Sequence, residues 1–502
     1  MTSTPIVSWF THLTKLSEPL VDWLGHLDSI APGHGLRYWS HHPDALPASV
    51  RASPIALRYV QLLGPLAWDD FPERDLQRHW GKPPVPYAPF AAACLVKLDQ
   101  HLPHMSNLRQ FLLDNPALTW VLGFPVTPSH RPACEWGVDH GLPTHRHLTR
   151  MLRQMPNAAL QFLLDSSVDL LRTELDDSAG PLGTCVSLDT KHILGWVKEN
   201  NPKAYIKDRF DKTKQPAGDP DCRLGCKRRH NQRNTGTASP STPTQQAVPA
   251  NTVSVGEFYW GYASGIVAAK VPEWGEIVLA ERTRPFDESD VSYFFPLMTT
   301  TEKRLGFKPT FGAFDAAFDA FYVYEYFHNA GGFAAVPFSE RGGHAHRQFT
   351  EDGLPLCAAG LAMPLKYRFT DRSSLVEHEC GRHVCPLRYP EVISKVCPVK
   401  HKNWAKGGCT STLPISIGAR LRYTLDRHSD DYQQVNHQRT ATERINSQAV
   451  ELGIEHPKIR NGLAVANLNT LIYILINLRA LQRIRQHKAE QPREASTQAA
   501  AA

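Results

Sequence analysis

Three acidic residues stand where their chemistry could be used. Asp189 ends the apolar run GTCVSLD, Asp315 ends PTFGAFD, and Glu443 lies in the helical text QRTATERINSQAVEL, one turn after Arg439. Carboxylates at the ends of neighbouring strands can be brought side by side. A Glu on a helix packed over the same sheet can complete the cluster. Oxygen ligands with open coordination positions suit Mg²⁺, with Mn²⁺ as the alternative. Two such ions about 3.5–4 Å apart can activate an attacking oxygen and stabilise a leaving one during phosphodiester displacement, with no protein nucleophile. Taken singly, an Asp at a strand end is more commonly a turn former or helix cap. Glu443 alone is more commonly a solvated residue paired with Arg439 or Arg444. Asp319 and Glu451 are rivals for the second and third positions; Asp315 is preferred because it terminates an apolar run.

The elements that must position these acids follow from periodicity. Residues 1–87 are rich in Pro, His and Trp with broken patterning, which predicts an irregular, partly helical extension. Residues 88–178 read as an all-helical N-terminal domain. Ser106 and Thr144 are candidate caps, Asn115-Pro116 is a cap followed by Pro at the first helical position, and Leu160, Leu163, Leu164, Val168, Leu171 and Leu175 share one face. From Gly183 the period changes. Strands are predicted over 183–189, 258–269, 276–283, 309–315 and 331–338, with a helix over 321–331, so residues 179–339 read as a mixed α/β sheet. A Ser/Thr/Pro/Gln-rich stretch at 234–252 centres a mobile loop, 228–255. Residues 340–425 hold five of the ten Cys and little periodicity, which predicts an irregular Cys-containing insertion. Helices near 433–452 and 462–487 close the fold within 426–487, followed by a disordered tail, 488–502.

Composition narrows the classes. At 42% hydrophobic and 21% charged residues, collagen-like, wholly disordered and coiled-coil readings fall away. A net charge of +6 is compatible with an anionic partner. The apolar stretch LIYILINL, 471–478, is too short to cross a bilayer, and MTSTPIVSWF lacks a basic segment before an apolar core. No membrane association, a cytoplasmic location and reduced thiols are therefore expected.

Arg223, Lys227, Arg228, Arg229 and Arg233 form a run without an acid, suited either to DNA phosphates or to a solvated loop. Lys191, Arg282, Arg284 and Arg439 adjoin sheet or helix positions and are candidate phosphate or carboxylate partners. Cys380, His383, Cys385 and Cys397, with Cys409 beyond, make a loose structural Zn²⁺ set, against the alternative of separate thiols. Cys222 and Cys226 are a weaker pair. No P-loop, dinucleotide fingerprint, G-x-S-x-G or H-E-x-x-H motif occurs, which removes nucleotide-driven and zinc-protease chemistry.

Read in order, these phrases resemble the DDE transposases of bacterial insertion sequences. SLDTKH carries the first Asp; DPDCRLG (219–225) leads into FYWGY (258–262). DAAFD (315–319) precedes NAGGFAAVPF, and RTATE (439–443) precedes IRNGLA (459–464) and LNTLIYILINL (468–478). LLDNPALTWVLGF and PTHRHLTRML are similar to the helical domain that precedes catalysis in such enzymes. The similarity covers roughly residues 90–485. The Tyr and Lys that some relatives carry around the Glu are Asn436 and Val450 here. The resemblance implies an RNase H-like mixed sheet flanked by helices, Asp189, Asp315 and Glu443 as catalytic metal ligands, and a helical DNA-binding domain at 88–178. It also implies double-stranded DNA partners (element ends and target), a homodimer on DNA, and a nucleoid-associated place in a bacterial cytoplasm. The implied activity is cleavage at mobile-element ends and strand transfer. The alternatives are a transposase-derived DNA-binding protein without catalysis, or an RNase H-like nuclease without strand transfer.

Overall fold

The structure, a computed structural model, describes residues 36, 46–75, 84–125, 141–175, 181–227, 257–339 and 347–501, without the side chains of 49, 227, 257 and 491–501. Most of the predicted extension, the 228–255 loop, Arg228 and Arg229 lie outside the described residues. The chain divides into two compact units, residues 1–171 with 470–486 and residues 172–469 with 487–502.

The described elements of the first unit are helices: a single turn, Ala48–Arg51, then α1 (Pro54–Leu63), α2 (Tyr87–Asp99), α3 (Met105–Asp114), α4 (Pro116–Val121), α5 (His145–Gln154) and α6 (Asn157–Glu174, whose last turn falls in the other unit). Local chemistry starts several of them. The Ser53 hydroxyl accepts the Ala56 N–H ahead of Pro54, and that of Thr144 accepts the His147 N–H at 3.3 Å. α4 begins at Pro116 as expected, but the Asn115 amide turns back to donate to the Phe111 carbonyl. α3 begins one residue before Ser106, with His104 at its N-cap, so the predicted cap lies inside the helix.

Residues 470–486 belong to the chain's last helix, Gly462–Ala501, and sit in this unit's core. Leu471–Ile476 and Leu478 are all buried, so the segment is apolar on every side. By length and composition residues 462–490 could cross a membrane, yet 78% of the apolar window is buried inside the protein, as in a core helix. Its polar residues find partners in the unit: Asn477 donates to Ser167 and Asn157 to Thr470. Arg479, together with Arg58 and the Tyr59 hydroxyl, satisfies the buried Asp99. The sequence reading groups 462–487 with the sheet, whereas these bonds tie 470–486 to the helices. The helix also runs on to Ala501, where a disordered tail is predicted from 488; Ala, Glu, Gln and Arg are good helix formers.

The second unit is built on a curled mixed sheet flanked by helices. Its strands are β1 (Cys185–Leu194), β2 (Arg223–Lys227), β3 (Glu257–Val271), β4 (Gly275–Pro285), β5 (Phe311–Ala313) and β6 (Phe333–Ala335). β3 is antiparallel to β1, β2 and β4, and β1, β5 and β6 run parallel in that order. All five predicted strands are present. β1, however, runs five residues past Asp189, because Thr190–Leu194 keep pairing with β3; Asp189 is mid-strand and not at its end. β2 is an additional strand that the basic text did not suggest.

α7 (Phe294–Leu305) packs on the sheet, where Gly265 leaves room for the Tyr293 ring: a Cβ there would lie 2.4 Å from it. α8 (Phe321–His328) lies between β5 and β6. The insertion is not irregular. It forms a separate antiparallel sheet of β7 (Leu365–Asp371), β8 (His378–Val384) and β9 (Thr410–Pro414). Five consecutive residues of β7 are exposed, so there is no apolar alternation by which to read it. α9 (Ile417–Thr424), α10 (Asp430–Asn436), α11 (Thr440–Glu451) and α12, the last helix, complete the order.

Candidate active site

The parallel pairing of β1 with β5 decides where the two Asp residues meet. Ser187 is level with Ala313, the last pair of the ladder, and two residues further along each chain come Asp189 and Asp315, near enough for the charge of Asp315 to act on Asp189. β5 ends there because Asp315 caps a short 3-10 turn, its carboxylate accepting the Ala317 N–H at 2.8 Å. Asp189 accepts the Thr190 N–H at 2.8 Å and the Asn446 amide of α11 at 3.1 Å. Burial pushes the Asp189 carboxyl up to about 6; the negative charges of Asp315 and Asp290 add to this, while the Thr190 amide and the Arg439 charge oppose it.

Two neighbours of Asp189 escape a reading of the sequence. Asp290, in the polar text DESDVS, accepts the Thr190 hydroxyl at 2.6 Å and so enters the acidic cluster from the segment ahead of α7. Asn446 reaches Asp189 from the buried face of α11, and its carbonyl oxygen is buried with no hydrogen-bond partner among the described residues. Glu443 lies three residues earlier on α11, a helix packed against β1, β3 and β4. It is exposed and forms a 2.7 Å ion pair with Arg439.

Asp189 and Asp315 are therefore neighbours, while Glu443 is linked to them through its helix, by Asn446 and Arg439, and the three do not form a closed cage. Among the described residues the only three His, Cys, Asp or Glu ligand atoms within 4.8 Å of one another belong to Asp371, His378 and Cys380. An open oxygen set is still what Mg²⁺ takes, since it keeps several waters and uses one or two carboxylates.

The rivals fall elsewhere. Asp319 is fully buried and saturated: Arg422 donates two bonds at 2.8 and 2.6 Å, the Tyr324 hydroxyl a third and the Ser339 N–H a fourth. It ties α8 to α9, and no oxygen is left for an ion. Glu451 is two turns past Glu443, about 12 Å along the axis.

The basic residues scatter by role. Lys191 pairs with Glu455 at 2.6 Å, and Arg284 with Glu288. Arg223 donates to the Pro220 and Cys222 carbonyls, and Lys227 is the last residue of β2. Register sets Arg282 in a row with Gly265 and Thr190, and Arg284 in a row with Ala263 and His192. Loss of water, then the repulsion of Arg284, holds the Arg282 guanidinium below its ordinary value.

The segment DPDCRLG is structural. Tyr262 donates to the buried Asp219 at 2.8 Å, and Asp221 accepts the Gly462 N–H at 2.8 Å and the Asn461 amide at 3.1 Å at the start of α12. Cys222 is buried with its thiol on the Asp219 carbonyl, and Cys226 is exposed. Trp260 is buried, donating to the Arg209 carbonyl, so neither Trp260 nor Tyr262 offers a face to a base.

The predicted zinc set does not assemble. Cys380 and His383 are three apart on β8 and so face opposite sides, with His383 Nδ1 3.2 Å from the Met363 carbonyl. Cys385 instead neighbours Cys409, whose thiol burial, the adjacent Cys385 and then Cys357 push up to about 12.

The chain matches no protein-family model, and a search of curated proteins returns no significant match.

Proposed function

We propose that this chain is a metal-dependent DNA transposase of the DDE type, with an RNase H-like catalytic domain in its sheet unit and a DNA-binding domain in its N-terminal helices. The observation that carries the reading is the parallel β1–β5 register, which brings Asp189 near Asp315 beneath the helix that bears Glu443. The antiparallel set β4–β3–β1, continued by parallel β5 and β6, supports the RNase H-like assignment.

The donor set fits Mg²⁺. It is all hard oxygen, and the carboxyl of Asp189 is held up by burial beside two other negative charges, a condition that a cation relieves. Asp189, Asp315 and Glu443 would hold the metal. Bound there, it supplies a Lewis acid and alignment for in-line displacement at phosphorus. The chain's own residues do the rest. Asn446 and the Thr190 N–H fix the Asp189 carboxylate, and Arg439 holds Glu443 in the metal-free state. Arg282 and Arg284 supply positive charge one strand beyond β3, where a DNA backbone needs phosphate contacts. Water attacks in cleavage, breaking the P–O3′ bond at the element end, and the freed 3′-OH attacks the target phosphodiester. The partners are then double-stranded element ends and target, engaged by a homodimer in the bacterial nucleoid.

Single Asp189→Asn, Asp315→Asn and Glu443→Gln variants test this on DNA carrying the repeats that flank the coding region. Mg²⁺-dependent cleavage is lost in each while DNA binding remains. Cleavage that survives all three changes sinks the site. Wild-type protein that binds but never cuts is a DNA-binding relative instead. Cutting without joined products from a 3′-OH donor is a nuclease.

A further inference from the structure

We propose that Asp371, His378 and Cys380 form a binding site for a zinc-class divalent ion on the β7–β8 hairpin, separate in place and in ligand chemistry from the acidic cluster. Asp371 and His378 are cross-strand partners at the end of the hairpin, and Cys380 follows two residues later on the same face of β8. Their ligand atoms all lie within 4.8 Å of one another.

The geometry of His378 separates this cluster from a chance meeting of side chains. Its Nδ1 is 2.7 Å from the Val376 carbonyl oxygen. A carbonyl only accepts, so Nδ1 carries the proton and Nε2 is left as the lone-pair atom. The Nε2 atom is directed at Cys380 Sγ, 3.3 Å away. An imidazole that donates through one nitrogen to a carbonyl and offers the other is the usual arrangement of a metal-bound His. The Phe321 ring, 4.5 Å from the imidazole centre, holds its plane.

Distances agree with this reading. Zinc binds sulfur at about 2.3 Å and imidazole at about 2.0–2.1 Å, which at a tetrahedral angle separates the two ligand atoms by about 3.6 Å. The observed 3.3 Å needs a few tenths of an ångström of opening. Asp371 completes the set: its Oδ1 accepts from the Ser373 N–H and hydroxyl, leaving Oδ2 to turn toward the ion. Three protein ligands leave a fourth tetrahedral position for water.

Ligand softness sets the ion's class. One thiolate, one imidazole and one carboxylate suit Zn²⁺ or Co²⁺ and discriminate against Mg²⁺. A thiol binds such an ion as the thiolate, so binding at Cys380 releases a proton to solvent. The bound ion would clamp the hairpin at its open loop, residues 372–377, in a sheet that has little core of its own.

The test is a Co²⁺ and Zn²⁺ titration of the metal-free full-length protein, with Co²⁺ followed by its thiolate charge-transfer band. His378→Ala and Cys380→Ser should each bind one equivalent fewer than wild type at matched concentrations. Asp371→Asn should weaken that equivalent by at least roughly tenfold. His378→Cys keeps the equivalent and strengthens the band, which guards against loss by misfolding. Cys385→Ser and Cys409→Ser keep it too. The proposal is overturned if stoichiometry is unchanged in Cys380→Ser, if the equivalent disappears with Cys385→Ser or Cys409→Ser, or if wild type binds neither ion.

Discussion

An acidic cluster assembled without a cation costs stability, and the cost can be measured at Asp189. Its carboxyl rises from 3.8 to about 6 in the folded chain, which corresponds to about 3 kcal/mol against the ionised form. The sign follows from linkage. Below the unfolded value both states hold the proton and there is no penalty. As pH rises through the folded value the proton leaves, and stability falls by the full amount. Asp189→Asn removes the ionisable group but keeps the shape. The Thr190 N–H still meets an oxygen, and Asn446, whose carbonyl oxygen is buried with no partner among the described residues, can flip to accept from the new amide. The variant should therefore match wild type near pH 4 and exceed it by up to about 3 kcal/mol above pH 7, the gap opening between about pH 4 and pH 6. Urea unfolding in a chelator across that range measures it, since the other carboxylates titrate alike in both proteins and cancel. Mg²⁺ at about 100 times its dissociation constant should then raise wild type alone by about 2.7 kcal/mol and nearly close the gap. A variant no more stable than wild type at neutral pH, or a gap that ignores pH, refutes the reasoning.

Other consequences follow from the same contacts. Asp319→Ala leaves the largely buried guanidinium of Arg422 to the Ser339 carbonyl and the Tyr423 hydroxyl and should cost about 1.5–3 kcal/mol in urea unfolding. Glu443→Gln, which breaks only an exposed pair with Arg439, should stay within about 0.5 kcal/mol of wild type while abolishing cleavage. Gly261→Ala places a Cβ 2.0 Å from the Ile193 carbonyl oxygen, a backbone atom that cannot swing aside; a loss of more than about 2 kcal/mol is expected, with impaired β1–β3 pairing seen as faster amide exchange. Tyr262→Phe removes a donor from Asp219, whose other oxygen is buried with no partner among the described residues, and should cost about 1–3 kcal/mol by thermal or urea unfolding.

How much of this could be read in the sequence depended on whether burial leaves a pattern. β3 and β4 bury long apolar runs, and their strands are legible at once. β2 is held by backbone bonds to β3 while its side chains, Arg223 and Lys227 among them, read as a solvated loop. The polar second half of β1 hides the same way, which is why Asp189 reads as a strand end. β7 hides because it is exposed; α12 is legible as a helix over 462–487, but being apolar on every side it gives no face by which to tell what it packs against. Asp290 gives no signal, since nothing in a run of acids says that one of them meets Thr190.

The phrase DAAFD is the sharpest case. Its two acids are four residues apart, flank the same 3-10 turn and are alike in type, yet they have opposite fates. Asp319 meets Arg422, more than a hundred residues away in the chain, and the double hydrogen bond with two further donors makes it a fixed brace between helices. Asp315 follows a strand held parallel to β1 over three residue pairs, and so adds negative charge where the Asp189 carboxylate is already losing its water. The apolar run before Asp315 favours it as the second acid, but only weakly. What decides is where the positive charge goes: a carboxylate that receives a largely buried guanidinium is spent on structure, and one placed beside its own kind adds to a concentration of negative charge that a bound cation would relieve.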